Sequence, residues 1–444
     1  MNVAQPPITA RGRVQPYAAP EAAPQADRLS MILLFTPIVG VTFLSKFALQ
    51  IGSAGILLAV PLIVGAMLVG VLTKRLHADR TRLALYLGMA SILSLQQVFF
   101  VKTFQLTSLI LLLVLQLTWV FRLDGAGDPA THHRRVLKLA LFFAVCGIIQ
   151  YPAQYVVGTK WAFPIETFTP DSLITHGYNY LNAISYGSTK YKANGVFLLE
   201  PSYFSQMLST GIVLEILGRR RWWAFALLAG GFYVSFSGTG LIMLGVSLFT
   251  LALVQRRFGM LIGMAVAAFL VISFGELIGL ETIAKRSTEF QKPGTSGYQR
   301  YVGPALMMQQ YLGPSLERSL FGVGSGMMMR MTPAPMFHVA ETGWAKIIIE
   351  FGIVGAIAFF GFLYATVFGA KQPIVLRANL ATMTLMSGIL DGPPHGMILS
   401  LLLWSTPYSK PKPEPATEER ATVAGKAQVS APMVAITRKG TPPI

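Results

Sequence analysis

Long apolar segments, separated by short polar ones, recur through most of the chain. They run for about 15 to 22 residues each, and a helix of about 20 apolar residues crosses a hydrocarbon layer roughly 30 Å thick. The pattern predicts an all-α, polytopic integral membrane protein of about 12 transmembrane helices. The last segment is short and could be a tilted or partly interfacial helix. The predicted helices are 30–49, 54–73, 83–101, 103–121, 136–157, 198–217, 222–237, 239–254, 258–278, 343–369, 374–391 and 395–407.

Basic residues cluster in every second connection between these helices. Lys74, Arg122, Arg219, Arg256 and Lys371 each mark one such connection. Because Lys and Arg collect on the cytoplasmic side of membrane proteins, this alternation predicts that these connections and both termini are cytoplasmic. It also accounts for the formal net charge of +17, which in a soluble protein would suggest nucleic acid.

The composition excludes a water-soluble fold, since 53% of the 444 residues are hydrophobic and only 12% are charged. The single cysteine, Cys146, excludes a disulfide framework and a thiolate metal cluster. Residues 1–28 are rich in Pro and Ala and predict a disordered cytoplasmic tail. Residues 29–407 form the predicted transmembrane domain, and 408–444 predict a disordered basic cytoplasmic tail.

Two predicted external connections are long, about 158–197 and about 279–342. Long connections in a compact domain commonly carry function, so we expect the chemistry there. The second also has an excess of cations on the side that membrane topology normally keeps poor in them. Binding of an anion is the simplest reason for that excess.

Signatures of soluble enzymes are missing from the sequence: it contains no Walker-type loop, no dinucleotide-binding glycine set and no His-Glu-x-x-His. The stretch 235–240 is better interpreted as a helix hairpin than as a nucleophile elbow, because no strand precedes it. We expect His132 and His133 to be solvated surface residues in a cytoplasmic connection. ATP hydrolysis and metal-dependent hydrolysis are therefore not expected.

Several charged residues lie where the long connections enter helices. Glu200 precedes a proline at a helix start, where it either complements the helix dipole, holds a substrate hydroxyl or orders the connection. Glu341 is expected to cap a later helix, with His338 three residues before it. Lys346 and Glu350, four residues apart in that helix, are expected to neutralise one another.

Five features occur in a set order along the chain. They are Gly-Val-Phe-x-x-Glu-Pro-Ser-x-Phe at 195–204, Ser-Gly-Thr-Gly at 237–240, an arginine-bearing loop, Leu-Phe-Gly-Val-Gly-Ser-Gly at 320–326, and Trp-Ala-Lys-x-x-x-Glu-x-Gly-x-x-Gly at 344–355. Over roughly residues 80–391 this set resembles the bacterial O-antigen ligase and polymerase superfamily. The resemblance implies a Wzy-type glycosyltransferase of the inner membrane that acts on undecaprenyl-diphosphate-linked sugars at the periplasmic face.

The resemblance favours a polymerase over a ligase. The ligases carry a His-Asn-like pair at a fixed interval before Gly-x-x-Gly, and that interval falls on Glu341 and Thr342 here. We therefore expect polymerisation of oligosaccharide repeat units into exopolysaccharide or O-antigen. The alternatives are ligase-type glycan transfer, a flippase for lipid-linked sugars, or a scaffold in an export assembly.

The resemblance also implies a mechanism, a metal-independent and cofactor-free transfer from a lipid diphosphate to a hydroxyl. Expected partners are the bilayer, the lipid-linked oligosaccharide, a chain-length regulator and export machinery, but no nucleic acid. Stabilising the connection near anionic headgroups is the alternative role for its cations. The candidate diphosphate ligands are Arg286, Arg300 and Lys192. The candidate bases are Glu200, His338 and Glu341.

Overall fold

The computed structural model describes most of the chain between residues 27 and 405. The described ranges are 27–51, 54–175, 178, 180–184, 188–274, 290–293, 295–331, 339–388 and 392–405. Two predicted site residues, Arg286 and His338, lie outside them, as do the C-terminal tail and nearly all of the N-terminal tail.

Each of the twelve predicted apolar segments overlaps a described helix, although several bounds differ. The long helices are α1 (Arg28–Phe43), α2 (Ala59–Leu72), α3 (Arg80–Phe99), α4 (Leu106–Leu117), α5 (Pro129–Val156), α8 (Pro201–Leu217), α9 (Trp222–Ser235), α10 (Thr239–Val254), α11 (Phe258–Phe274), α14 (Gly343–Phe368), α15 (Ile374–Met386) and α16 (Pro393–Ile398), which continues as a π turn over Leu399–Leu403. Shorter elements are α6 (Thr159–Ala162), α7 (Pro164–Phe168), a π turn at Tyr298–Val302, α12 (Gly303–Tyr311) and α13 (Leu316–Phe321). The strands within the described ranges are short: β1 (Ala48–Ile51), β2 (Ala54–Leu57), β3 (Leu76–Ala78) and β4 (Phe121–Leu123).

Two described helices, α5 and α14, are long and apolar enough by length and composition to cross a membrane. Seven apolar segments of 10 to 17 residues accompany them. At a rise of 1.5 Å per residue such segments span about 15 to 25 Å, less than a typical hydrocarbon core. The described chain is thus mostly helical, with two candidate membrane spans.

The first predicted helix ends earlier than expected, at Phe43 rather than near residue 49. The next residues lead into an antiparallel hairpin in which Ala48 of β1 faces Leu57 of β2. The linker before the hairpin pairs with the first external connection through Phe47 and Ile174. Lys46 explains why the helix stops, since its charge is satisfied by contacts to that connection rather than within an apolar helix.

His132 and His133 are buried, so the expectation of solvated histidines is wrong. Helix α5 begins at Pro129, seven residues before the predicted start, because Asp128 caps it by accepting from the Thr131 amide at 3.0 Å. The added two turns carry both histidines into the interior, with His132 1% and His133 6% exposed. The His132 Nε2 atom lies 3.0 Å from the Ser400 hydroxyl of the final π turn.

The final helix is a core element of the described chain. Every residue from Pro393 to Ser405 is buried. Gly396 packs against Val41 of α1, and the Ser400 hydroxyl donates to the Leu34 carbonyl at 2.8 Å. The segment is short because it is enclosed by neighbouring helices, so its length is set by packing rather than by bilayer thickness.

Connections that the charge pattern assigns to one side contact one another. On the predicted cytoplasmic side, β3 pairs with β4 and Arg122 forms an ion pair with Asp79. On the opposite side, the Gln105 amide donates to the Ser325 carbonyl at 2.8 Å, joining the α3–α4 connection to the second long connection. The candidate residues of both long connections belong to this second group.

Candidate functional site

The two long connections that the sequence predicts to be external meet at Glu200 and Arg300. Glu200 has extended backbone and is followed by Pro201 at the first position of α8, where a missing amide hydrogen costs nothing. Its side chain makes no capping hydrogen bond with the helix. Instead Oε2 accepts from the Ser202 hydroxyl at 2.9 Å and lies 3.6 Å from Arg300 Nη2. A role limited to the helix dipole therefore does not describe this carboxylate.

Arg300 is carried by the π turn 298–302. The neighbouring Tyr301 fixes that turn, since its hydroxyl contacts the Met386 sulfur at 2.8 Å and its ring packs 5.7 Å from Phe290. Burial raises the pKa of Tyr301, so its hydroxyl remains protonated. Arg300 and Glu200 side chains are 15% and 17% exposed, which leaves both within reach of a ligand.

Glu341, Lys346 and Glu350 form a chain of ion pairs at the start of α14. Lys346 Nζ lies 2.6 Å from Glu341 and 2.9 Å from Glu350. The predicted pairing of Lys346 with Glu350 is confirmed. The prediction that Glu341 caps the helix is wrong, because Thr342 occupies the N-cap and makes no side-chain cap bond. The Glu341 carboxylate pairs with the buried Lys346 ammonium instead of capping the helix.

A glycine breaks helix α14 beside the second connection. Gly352 has φ 64° and ψ −168°, values open only to glycine. A Cβ there would lie 2.5 Å from the Leu320 carbonyl carbon, while one on Gly322 would lie 2.4 Å from Glu350 backbone. The two glycine motifs of the sequence therefore mark one close contact between two backbones.

The carbonyls that the break exposes accept hydrogen bonds at this contact. The Val323 amide donates to the Ile349 carbonyl at 3.0 Å, and the Gly324 amide donates to the Glu350 carbonyl at 3.1 Å. Gln96 of α3 donates to the Phe351 carbonyl at 3.2 Å. The second connection is thus attached to α14 by hydrogen bonds as well as by packing.

A backbone hydrogen bond joins the Glu200–Arg300 pair to the ion pairs of Lys346. The Ala340 amide donates to the Gln299 carbonyl at 2.9 Å, which places Glu341 and Arg300 on adjacent segments. We call the five residues of these groups the charge line. They are Glu200, Arg300, Glu341, Lys346 and Glu350, alternating in sign. Such a line can bind an anion at a cation and accept a proton at a carboxylate.

The other predicted cations have separate positions. Lys192 is half-buried on a hairpin whose backbone pairs its amide with the Asn182 carbonyl at 2.8 Å, eight residues before Glu200. Arg330, although it belongs to the same long connection as Arg300, places its guanidinium against the Gln105 side chain on the α3–α4 connection.

A buried ion pair between Lys46 and Glu166 was missed by the sequence analysis. Lys46 is fully buried and Glu166 is 4% exposed at its side chain. The signal was present, since Lys46 is a charge within what the hydropathy pattern predicts as a membrane helix. Within the described ranges, no group of three or more His, Cys, Asp and Glu side chains could hold a metal ion.

An apolar helical chain with charged residues gathered in its long connections is typical of an integral membrane enzyme that works on a bilayer-delivered substrate. The chain belongs to the WcaD colanic acid polymerase family, whose model matches residues 30–406. It is thus an exopolysaccharide repeat-unit polymerase, which confirms the predicted superfamily and the choice of polymerase over ligase. No curated protein matches the chain at a significant level.

Proposed function

We propose that this enzyme polymerises undecaprenyl-diphosphate-linked repeat units at the periplasmic face of the bacterial inner membrane. The observation that supports the site is the 3.6 Å approach of Glu200 and Arg300 from two separate external connections. In this proposal about twelve helices cross the bilayer, residues 1–28 and 408–444 are cytoplasmic tails, and a chain-length regulator and export machinery are partners. The alternating basic connections support that orientation.

Arg300 binds the diphosphate of the donor. Its contact to Glu200 at 3.6 Å is longer than the 2.7 to 2.9 Å typical of a charge-assisted hydrogen bond, so the guanidinium can exchange this contact for phosphate oxygens at low cost. A guanidinium fork spans two phosphate oxygens and neutralises the charge that develops on the departing diphosphate. Lys192 and Arg286 remain the candidates for additional cations.

The reaction needs one bond formed and one broken. The acceptor hydroxyl oxygen attacks the anomeric carbon of the growing glycan, and the bond from that carbon to the diphosphate oxygen breaks, leaving the electron pair on the lipid diphosphate. The hydroxyl proton passes to a carboxylate. Because a sugar diphosphate is already activated, positioning and a fixed cation suffice, and we propose that no metal takes part.

Glu341 is the favoured base among the candidates. It is 32% exposed at its side chain, more than Glu200 at 17%, and it is not in direct contact with the cation proposed to hold the diphosphate. Glu200 would instead orient Arg300 and release it when the donor binds. His338 remains a candidate base outside the described residues.

Replacement of Arg300 tests the proposal. We expect Arg300→Ala to lower polymer yield about a hundredfold, since loss of one transition-state contact typically costs on the order of 3 kcal/mol. Arg300→Lys should recover only part, because an ammonium keeps the charge but loses the fork. The measurement is polymer yield from purified lipid-linked repeat units in proteoliposomes, at equal protein level.

Arg330→Ala is the matched control, since Arg330 lies in the same connection but contacts Gln105. It should retain most of the activity. A yield from Arg300→Ala within threefold of the unmodified protein would remove Arg300 from the site and leave lipid headgroups as the reason for the cationic connection.

A further inference from the structure

A strained turn lies four residues before Glu200. Gly195 and Val196 have φ of 70° and 68°, and a β-branched residue such as valine rarely adopts a positive φ. Three successive amides of the turn, those of Asn194, Gly195 and Val196, converge on the side-chain oxygen of Gln150 at 3.0, 3.0 and 3.3 Å. This acceptor from α5 holds the turn in its unusual conformation.

The carbonyl side of the turn is held by the buried ion pair. Lys46 donates both to the Val196 carbonyl and to Glu166. Asn194 donates to the same Glu166 oxygen at 2.6 Å, and its own side-chain oxygen accepts from Gln150 at 3.0 Å. We call Lys46, Gln150, Glu166 and Asn194 the clamp. Its members come from four segments that are distant in the sequence.

The clamp is mechanically connected to Glu200 through Phe204. The Phe204 ring packs against Gly195 so closely that a Cβ on this glycine would lie 3.0 Å from the ring. The Phe204 amide in turn donates to the Glu200 carbonyl at 3.0 Å, closing the first turn of α8. A displacement of the strained turn is therefore transmitted to the residue that bears the Glu200 carboxylate.

Stability alone is a weak reason for a buried pair of this kind. Taking two charges out of water offsets most of their attraction, and an apolar pair of similar volume often stabilises a fold as well. The better-supported use of a buried polar network is to select one local geometry among several. Here the selected geometry is that of the turn leading to Glu200.

A tyrosine of the first long connection extends the hydrogen-bonded network around Lys46. The Tyr180 hydroxyl donates to the Thr175 carbonyl, and the Thr175 amide donates to the Lys46 carbonyl at 2.9 Å. Burial raises the pKa of Tyr180, and the charges of Glu200 and Glu166 raise it further. The Tyr180 hydroxyl and the Thr175 backbone therefore extend the hydrogen-bonded network around Lys46.

We propose that Lys46 and Glu166 are positioning residues of the polymerase, which set the Glu200 carboxylate against Arg300 by fixing the turn at 194–196. The inference rests on the proposed role of the Glu200–Arg300 contact in the reaction. In this proposal neither residue of the ion pair touches the substrate.

The first test measures geometry without chemistry. In a Cys146→Ser background, the pair Glu200→Cys and Arg300→Cys is treated with a short bifunctional thiol cross-linker, with and without Lys46→Met. Methionine keeps an unbranched apolar stem but removes the donor. We expect the cross-linked fraction to fall at least threefold with Lys46→Met. Lys190→Met is the control. Lys190 lies in the first long connection, as the strained turn does, but its ammonium faces the Tyr155 ring at 4.6 Å.

The second test is a double-mutant cycle on polymer yield at matched protein level. Lys46→Met should lower the yield about tenfold in the unmodified protein but less than twofold when Arg300 is already alanine. The reason is that both changes remove the same contact, the one between Glu200 and Arg300. Equal losses in the two backgrounds, or unchanged cross-linking, would overturn the positioning role. A silent Arg300→Ala would instead overturn the proposed function, while the cross-linking result would still report on the clamp.

Discussion

The two long connections that build the proposed site are held in place by different interactions. The first reaches Glu200 through buried polar side chains, with Lys46 and Glu166 at the centre. The second is attached to α14 through contact between two backbones, at Gly322 and Gly352. The first set of interactions needs particular polar side chains, whereas the second needs glycines, which have no side chain.

The two regions are therefore sensitive to different kinds of substitution. Removing a polar group from the clamp leaves other buried donors and acceptors without partners, which costs about 1 to 3 kcal/mol for each group. Adding one carbon at the glycine contact forces two backbones apart, and protein interiors have little free space to absorb this. The following predictions use that contrast, beginning with the largest effect.

Gly352→Val should have the largest effect. Valine cannot adopt φ 64° and ψ −168°, and its Cβ would lie within 2.5 Å of the Leu320 carbonyl carbon. We expect loss of more than about 4 kcal/mol in the free energy of unfolding, seen as loss of folded protein in detergent by thermal unfolding. Gly361→Val in the same helix is the control, because nothing lies within 4 Å of a Cβ there. Equal destabilisation by both would show that the backbone contact has no special role.

Glu350→Ala should have the next largest effect. Its carboxylate accepts from Lys346 at 2.9 Å and from the Met328 amide at 3.3 Å, and both donors are buried. Breaking a buried pair by removing one partner typically costs about 3 to 5 kcal/mol, but Glu341 still neutralises Lys346, so we expect about 2 to 3 kcal/mol. Adding Glu341→Ala to this variant should cost more than the two single losses summed, measured by thermal unfolding. Simple additivity would mean that Lys346 does not need either carboxylate.

Ser202→Ala should have the smallest effect on stability. The hydroxyl donates to Glu200 at 2.9 Å in a partly exposed position, and a hydrogen bond of this kind contributes about 1 kcal/mol. Because it helps to hold the carboxylate facing Arg300, polymer yield should fall by about threefold to tenfold, while the unfolding temperature changes little. Ser188→Ala in the first long connection, whose hydrogen bonds among the described residues are to Lys190, should leave the yield unchanged. A fall in both variants would point to a general loosening of the connection.

The helical framework could be predicted well because it depends on local pattern. Apolar runs of helical length gave all twelve overlapping segments, and α10 has the predicted bounds of 239–254. The errors lie where a distant contact competes with that pattern. Residues 44–51 form a linker and a strand that pairs with 54–57, because Lys46 pairs with Glu166, 120 residues away. Helix α5 begins early because Asp128 caps it.

The members of the proposed site could be selected from the sequence, but their assembly could not. Glu200, Arg300 and Glu341 could be selected because charge at helix ends and in long external connections is unusual in an apolar chain. Gln150 and Asn194 could not be selected, because a single amide side chain in a sequence carries no sign of what it will bond.

The sequence by itself determined the class of protein, the order and approximate bounds of its helices, and the residue types available for binding an anion. These follow from composition and periodicity, which act over a few turns of helix. Only the tertiary structure decided that Glu200 faces Arg300, that Gly322 packs against the break at Gly352, and that Lys46 is neutralised within a clamp. Such contacts join residues that are many positions apart, and their stability comes from burial and close packing that exist only once the helices have assembled.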